Sequence, residues 1–180
     1  NNVLLIMDEI QAGLGRTGKW FGFQHAGIDP DIVTCAKALG NGVPIGAVWA
    51  TEDVASAFNP GDHGSTFGGQ PLAASAAREV LRTMIEIDAP ALAKSRGEEL
   101  TNLLNGVTGI ESVRGNGLLL AAELNSEILK EHTGPEIARK CLEAGLVVNG
   151  VTSTSLRLAP PLTVSYEELI RGVALLGCLL

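Results

Sequence analysis

Asp31-Ile32-Val33-Thr34-Cys35-Ala36-Lys37-Ala38-Leu39-Gly40 is the stretch that decides the fold. Its apolar run, set off by Asp29-Pro30-Asp31, reads as a short strand over Ile32 to Thr34, with a lysine standing just past its end. Upstream, Val3-Leu4-Leu5-Ile6-Met7 is an unbroken apolar run closed by Asp8, the pattern of a strand buried on both faces. Ile45 to Ala50, after the loop Gly40-Asn41-Gly42-Val43-Pro44, forms a third strand. Strands recurring with connections between them indicate an α/β architecture. In open α/β sheets, ligands bind beyond the carboxyl ends of parallel strands. Asp8 and Lys37 are expected there.

Charged groups at the ends of buried strands are costly unless paired or functional. A lysine in that crevice can form a Schiff base with an aldehyde cofactor. A carboxylate can keep a pyridinium nitrogen protonated. Together these are what pyridoxal 5′-phosphate chemistry needs from a protein. Taken singly, Asp8 reads equally as a helix cap and Lys37 as a solvated surface lysine.

Two further positions carry chemistry. Ser65 and Thr66 lie in the Gly-rich loop Pro60-Gly61-Asp62-His63-Gly64-Ser65-Thr66-Phe67-Gly68-Gly69-Gln70-Pro71, just before a helix. Such a loop offers backbone N–H groups and hydroxyls to a phosphate, or is a plain loop with a cap. Arg157 interrupts an otherwise apolar strand, Leu156-Arg157-Leu158. A buried arginine calls for a planar carboxylate, from a substrate or from a structural ion pair. Gly13-Leu14-Gly15-Arg16-Thr17-Gly18 matches G-x-G-x-x-G, but Asp8 to Ala12 separates it from the strand and no convincing helix start follows. The nicotinamide-binding reading fails on that context.

Composition sets the outer bounds. One hundred and eighty residues suit one large domain or one and a half small ones. The 22 glycines exceed the usual share of ~7%, as expected of a chain with many tight turns. The net charge of −7, with no clustered Lys or Arg, argues against a nucleic-acid surface. No apolar run approaches the ~18 residues of a membrane span, and no signal peptide is recognisable. Cys35, Cys141 and Cys178 are scattered like small core residues of a reducing compartment, so a cytoplasmic location is expected. His25, His63 and His132 lack metal-ligand spacing, and no metal is expected. The chain opens inside a strand pattern without a preceding cap, which predicts the C-terminal part of something longer.

Beyond the third strand the period changes. Leu72, Ala73, Ala76, Ala77, Val80, Leu81, Met84 and Ile85 mark a helix over Pro71 to Asp88, and a second helix runs from Ala91 to about Asn105. A domain change is expected within it at Arg96-Gly97, giving domains 1–96 and 97–180. The second reads as a small α+β unit, with strands over Ile110 to Arg114, Leu118 to Leu124, Leu146 to Asn149 and Ser155 to Leu158. A helix over Pro135 to Ala144 carries Thr133 and Glu136 as a capping box, and Ser165 with Glu168 forms another before the final helix.

Four segments then carry a family resemblance: Met7-Asp8-Glu9-Ile10-Gln11-Ala12-Gly13-Leu14-Gly15-Arg16-Thr17-Gly18, Asp29 through Gly40, His63-Gly64-Ser65-Thr66-Phe67-Gly68-Gly69, and Val113-Arg114-Gly115-Asn116-Gly117-Leu118. In these the chain resembles the C-terminal half of a class III, ornithine-type, pyridoxal 5′-phosphate-dependent aminotransferase of fold type I. The resemblance implies part of a large mixed-sheet domain followed by a small α+β domain. It implies that Lys37 is the Schiff-base lysine and proton carrier, that Asp8 keeps the ring nitrogen protonated, and that Gln11 bonds the phenolic oxygen. Ser65 and Thr66 would hold phosphate, Thr66 across the interface of a homodimer, and Arg157 would clamp the substrate α-carboxylate. Gly145-Leu146-Val147-Val148-Asn149 and Leu156 to Leu162 point to members that exchange an amino group between N-acetylornithine and 2-oxoglutarate. Ornithine, succinylornithine and 4-aminobutyrate are the alternative donors, and a non-catalytic remnant of the fold is the alternative class. Asn41 and Gln70 depart from the Gly and Asn the family would place there.

Overall fold

The computed structural model describes residues 3–180. By its packing the chain divides into two units, one ending at Ala89 and one running from Pro90 to Leu180.

In the first unit, β1 (Ile6–Asp8), β2 (Ile32–Cys35) and β3 (Ala47–Ala50) form a three-stranded sheet in that order. β1 runs parallel to β2, with Asp8 opposite Thr34, and β3 runs antiparallel to β2. Val33, on the central strand, is fully buried. The expectation for residues 3–7 is corrected: the strand covers only Ile6–Asp8, and Val3, Leu4, Leu5 and Ile6 are 79%, 59%, 39% and 59% exposed. β1 is an edge strand, hydrogen-bonded on one side only, and of its residues Met7 is half-buried. After β3 come a single turn, α1 (Glu52–Ala55), and the long helix α2 (Pro71–Glu86), which starts at a proline in its first turn and buries Ala73, Ala77 and Met84.

The second unit is built on a four-stranded antiparallel sheet. α3 (Ala89–Asn105) leads into β4 (Ile110–Asn116) and β5 (Leu119–Leu124), a hairpin turning at Gly117. After α4 (Ser126–Leu129) and α5 (Gly134–Glu143) come β6 (Asn149–Gly150), β7 (Ser155–Leu158) and α6 (Tyr166–Gly177), with strand order β4-β5-β7-β6. One sheet face is core: Leu120, Ala122 and Leu124 of β5 and Leu156 and Leu158 of β7 pack with Leu100 and Leu104 of α3, Ile137 and Cys141 of α5, and Val173 and Leu176 of α6. Both expected caps form. The Ser165 N–H donates to Glu168 Oε2 at 2.8 Å while Glu168 N–H donates to Ser165 Oγ at 3.2 Å, and the Thr133 N–H donates to Glu136 Oε2 at 2.7 Å.

One sequence expectation meets a different outcome here. Residues 146–148 are not strand. α5 closes in a Schellman motif around Gly145 (φ 87°), where Gly145 N–H bonds Leu142 C=O at 3.0 Å and Leu146 N–H bonds Cys141 C=O at 2.8 Å. Leu146 thus spends its donor on the helix end. α3 runs unbroken through Arg96-Gly97, as a helix over that stretch requires. A Cβ on Gly97 would stand 2.1 Å from the Gly117 carbonyl oxygen, so this glycine lets α3 approach the hairpin turn. Packing places the division at Ala89/Pro90. Among the described residues no helix is long and apolar enough to cross a membrane.

Candidate functional site

Asp8 and Lys37 stand beyond the same ends of two parallel strands, which lie ~4.8 Å apart in a sheet. Asp8 is exposed, and its Oδ1 accepts from Ile10 N–H at 3.0 Å and, at the long limit, from the Thr34 hydroxyl at 3.4 Å. The first bond is a local cap, so the ordinary reading of Asp8 describes one of its oxygens. Among the described residues no hydrogen bond engages the other oxygen, Oδ2.

Lys37 follows β2 after one residue, Ala36, and opens a three-residue 3-10 turn, Lys37–Leu39. Its φ is +43°, in the left-handed region that a residue with a Cβ enters at a cost of roughly 1–3 kcal/mol. The surrounding bonds over-determine it: Gly40 N–H and Asn41 N–H both donate to the Lys37 carbonyl, at 3.1 and 3.2 Å. Lys37 Nζ donates to Gln11 Oε1, 26 residues away. Asn41, the departure from glycine, is itself left-handed at φ +45°, a conformation asparagine tolerates.

Between the strands, the Gly13–Gly18 segment forms turns and leads only to a four-residue 3-10 helix, Gly22–His25, so no long helix start is available for a pyrophosphate. What organises this loop is Glu9, 2% exposed. Its Oε2 accepts from Gly22 N–H at 2.9 Å and its Oε1 from Phe23 N–H at 2.8 Å. Gly13 must lack a side chain, since a Cβ would come within 2.7 Å of the Glu9 carbonyl oxygen. Sequence reading passed over Glu9. Its only local signal was an acid directly after the strand, next to the more conspicuous Asp8. Burial, and then the Glu9 carboxylate, push the Cys35 thiol up, away from a reactive thiolate.

The remaining predicted residues are not all brought together. Ser65 and Thr66 lie on an exposed loop, and no hydrogen bond ties either hydroxyl to Asp8, Gln11 or Lys37 among the described residues. In the second unit, Arg157 is half-buried on β7, where a buried arginine was expected. Its Nη2 donates to Asn149 Oδ1 on β6. Among the described residues, no carboxylate lies within ion-pair distance of it, so the structural salt bridge is not formed. An apolar cavity of about 350 Å³ in this unit is lined by Leu100, Leu146, Leu158, Pro161 and Leu169, with Glu168 its one charged neighbour. Glu168 is occupied in capping α6, so the cavity offers no group for proton or amino transfer. Among the described residues no cluster of His, Cys, Asp and Glu could hold a metal ion.

The arrangement at Lys37 fits pyridoxal 5′-phosphate. Lys37 Nζ meets the Gln11 amide carbonyl, and Asp8 at the end of the adjacent strand keeps one carboxylate oxygen without a donor, which are the group types that an aldehyde, a phenolic oxygen and a pyridinium N–H would need.

Comparison with known proteins bears on the same point. The family described as aminotransferase class-III matches residues 1–178. The acetylornithine aminotransferase of Methanocaldococcus jannaschii is 47% identical over 173 residues, covering 93% of this chain and 42% of that protein. That of Listeria monocytogenes is 42% identical over 181 residues, covering 98% of this chain and 45% of its own length. The solved ornithine aminotransferase from Toxoplasma gondii superposes with a TM-score of 0.87 at 36% identity, over 99% of this chain and 43% of that one. The chain thus spans less than half the length of the relatives it matches.

Proposed function

The chain belongs to the class III aminotransferases, a pyridoxal 5′-phosphate-dependent family, and on that premise we propose that the full-length protein transfers an amino group between N-acetylornithine and 2-oxoglutarate, as in arginine biosynthesis. The observation that carries the choice of donor is the acetylornithine aminotransferase name shared by the curated relatives at 47% and 42% identity. Ornithine as donor is the second reading, favoured by the Toxoplasma structure at the lower identity of 36%. Steady-state kcat/KM of the full-length enzyme with N-acetylornithine, ornithine, succinylornithine and 4-aminobutyrate tests this. A preference for any of the last three overturns the assignment.

When bound, the cofactor supplies an aldehyde and an electron-accepting ring. Lys37 Nζ would hold the aldehyde and would be the group that moves the proton of the substrate α-carbon. Gln11, already in contact with Nζ, bonds the phenolic oxygen. The Asp8 carboxyl, through Oδ2, would be the partner of the ring nitrogen and would favour its protonated form. Arg157 holds the α-carboxylate and so orients the α-C–H bond. This is supported by the lack of an acidic partner for Arg157 among the described residues.

Ser65 and Thr66 bind the phosphate, Thr66 reaching the neighbouring subunit's cofactor in a cytoplasmic homodimer. Their exposed loop, which forms no bond to Lys37, is in keeping with that role. In a mixed dimer of Lys37→Ala and Thr66→Ala chains, one site then regains both groups, and activity returns at about half the sites. If Thr66 serves its own subunit, mixing recovers nothing. As part of the same proposal, residues 1–96 belong to the C-terminal part of the large cofactor-binding domain and residues 97–180 to the small domain, a boundary close to the packing division at Ala89/Pro90.

A further inference from the structure

Arg114 on β4, Ala121 on β5, Arg157 on β7 and Asn149 on β6 are successive register partners, a single row across the sheet of the second unit. Directly opposed residues share a face, so these four side chains lie on the side away from the Leu120, Ala122 and Leu156 core. We propose that Asn149 is a positioning residue for Arg157: its amide carbonyl fixes the guanidinium and, being neutral, leaves the positive charge for a carboxylate of the substrate. This rests on the reading of Arg157 given above.

The sheet keeps acids away from Arg157. Glu123 is the acid on this face that is diagonal to it, opposite Ser155 and so roughly 7–8 Å off by register, within reach of a long side chain. It is already taken. Arg114 Nε donates to Glu123 Oε1 at 2.8 Å, and the Thr154 hydroxyl approaches Oε2 at 3.5 Å. Between the two arginines stands Ala121, which has no polar side-chain atom. Among the described residues Asn149 is the side chain that bonds the guanidinium, and its amide must present oxygen because arginine has only donors. One of the five guanidinium N–H bonds is used there, and the others remain for a planar, bidentate partner. An aspartate at 149 would place a carboxylate in the same spot and cancel the charge. An alanine would release a side chain whose value as a clamp depends on being held.

The test measures binding of glutarate, a dicarboxylate with neither amino nor keto group, to the full-length holoenzyme by calorimetry. Arg157→Ala should weaken glutarate by roughly a hundredfold, as loss of charge-assisted bonds does. Asn149→Ala should weaken it by roughly three- to tenfold, a modest positioning effect. Asn149→Asp should weaken it further. In the Arg157→Ala background Asn149→Ala should cost nothing more, since it acts only through the arginine. KM for both substrates should rise with the glutarate Kd, while cofactor affinity stays constant, which a general loss of structure would not allow. If Arg157→Ala leaves glutarate binding intact, the reading of Arg157 itself falls. If Arg157→Ala weakens binding but Asn149→Ala does not, or does so equally without Arg157, that reading stands and the role of Asn149 is overturned. Wild-type affinity in Asn149→Asp also overturns it.

Discussion

Asp8 and Thr34 are register partners across the parallel strands β1 and β2, and the Thr34 hydroxyl reaches the same Asp8 oxygen that caps the Ile10 N–H. The carboxylate is thereby held by one oxygen, with the second left for another donor. Asp8→Asn keeps the shape and the Oδ1 acceptor but not the charge that stabilises a protonated ring nitrogen. Turnover in the full-length enzyme should fall by roughly 10²–10³, the usual worth of such an electrostatic group. Wild-type turnover would mean that Asp8 is only a cap.

Lys37→Ala should abolish amino transfer while leaving cofactor able to bind noncovalently. Borohydride reduction followed by peptide mapping should find cofactor attached to Lys37 in the wild type and to no lysine in the variant. Label on another lysine in the wild type would remove Lys37 from its role.

Gly97→Ala separates two opposed effects. In an unobstructed helix the change gains roughly 0.5–1 kcal/mol. Here the new Cβ meets a backbone oxygen at 2.1 Å, and no side chain can rotate to make room. Overpacking of this kind costs roughly 1–3 kcal/mol, so the variant should unfold at lower temperature than the wild type. A raised thermal midpoint would show that α3 does not approach the hairpin so closely.

Glu168→Gln tests the cap of α6 through pH. The Ser165 backbone N–H, and then its hydroxyl, hold the Glu168 carboxyl below the usual carboxylate range. A lowered folded-state value means that the stabilisation is fully present above the ordinary glutamate value of ~4.3 and is lost as pH falls through the folded value. The variant should therefore melt below the wild type near neutral pH, and the two midpoints should converge as the medium is acidified below that range. A gap independent of pH would assign the effect to shape and not to charge.

The parts of the site legible in the sequence were those written locally. Lys37 and Asp8 stand out because each directly follows an apolar run, and Thr66 because its loop is Gly-rich. Glu9 was not legible, since the N–H groups that bury it come from Gly22 and Phe23 on the far side of a loop. The Lys37–Gln11 contact joins residues 26 apart, and nothing local to Gln11 marks it. Arg157 was visible as a charge in an apolar strand, but its neutral partner was not. Residues 146–149 read as a strand, and only the closure of α5 around Gly145 shows where the strand begins.

Sequence by itself determined the starts of α5 and α6, because a cap such as Ser165 with Glu168 or Thr133 with Glu136 is satisfied within one turn of chain. It also determined which residue types end the strands of the first unit, because apolar runs and the charges after them are contiguous. Only the tertiary structure decided that β1 is an exposed edge, that Gly97 is a contact point with Gly117, and that Arg114, Ala121, Arg157 and Asn149 share one row. Each of these depends on which distant segments pair and in what register, and a shift of one residue in a strand would turn every one of its side chains to the opposite face.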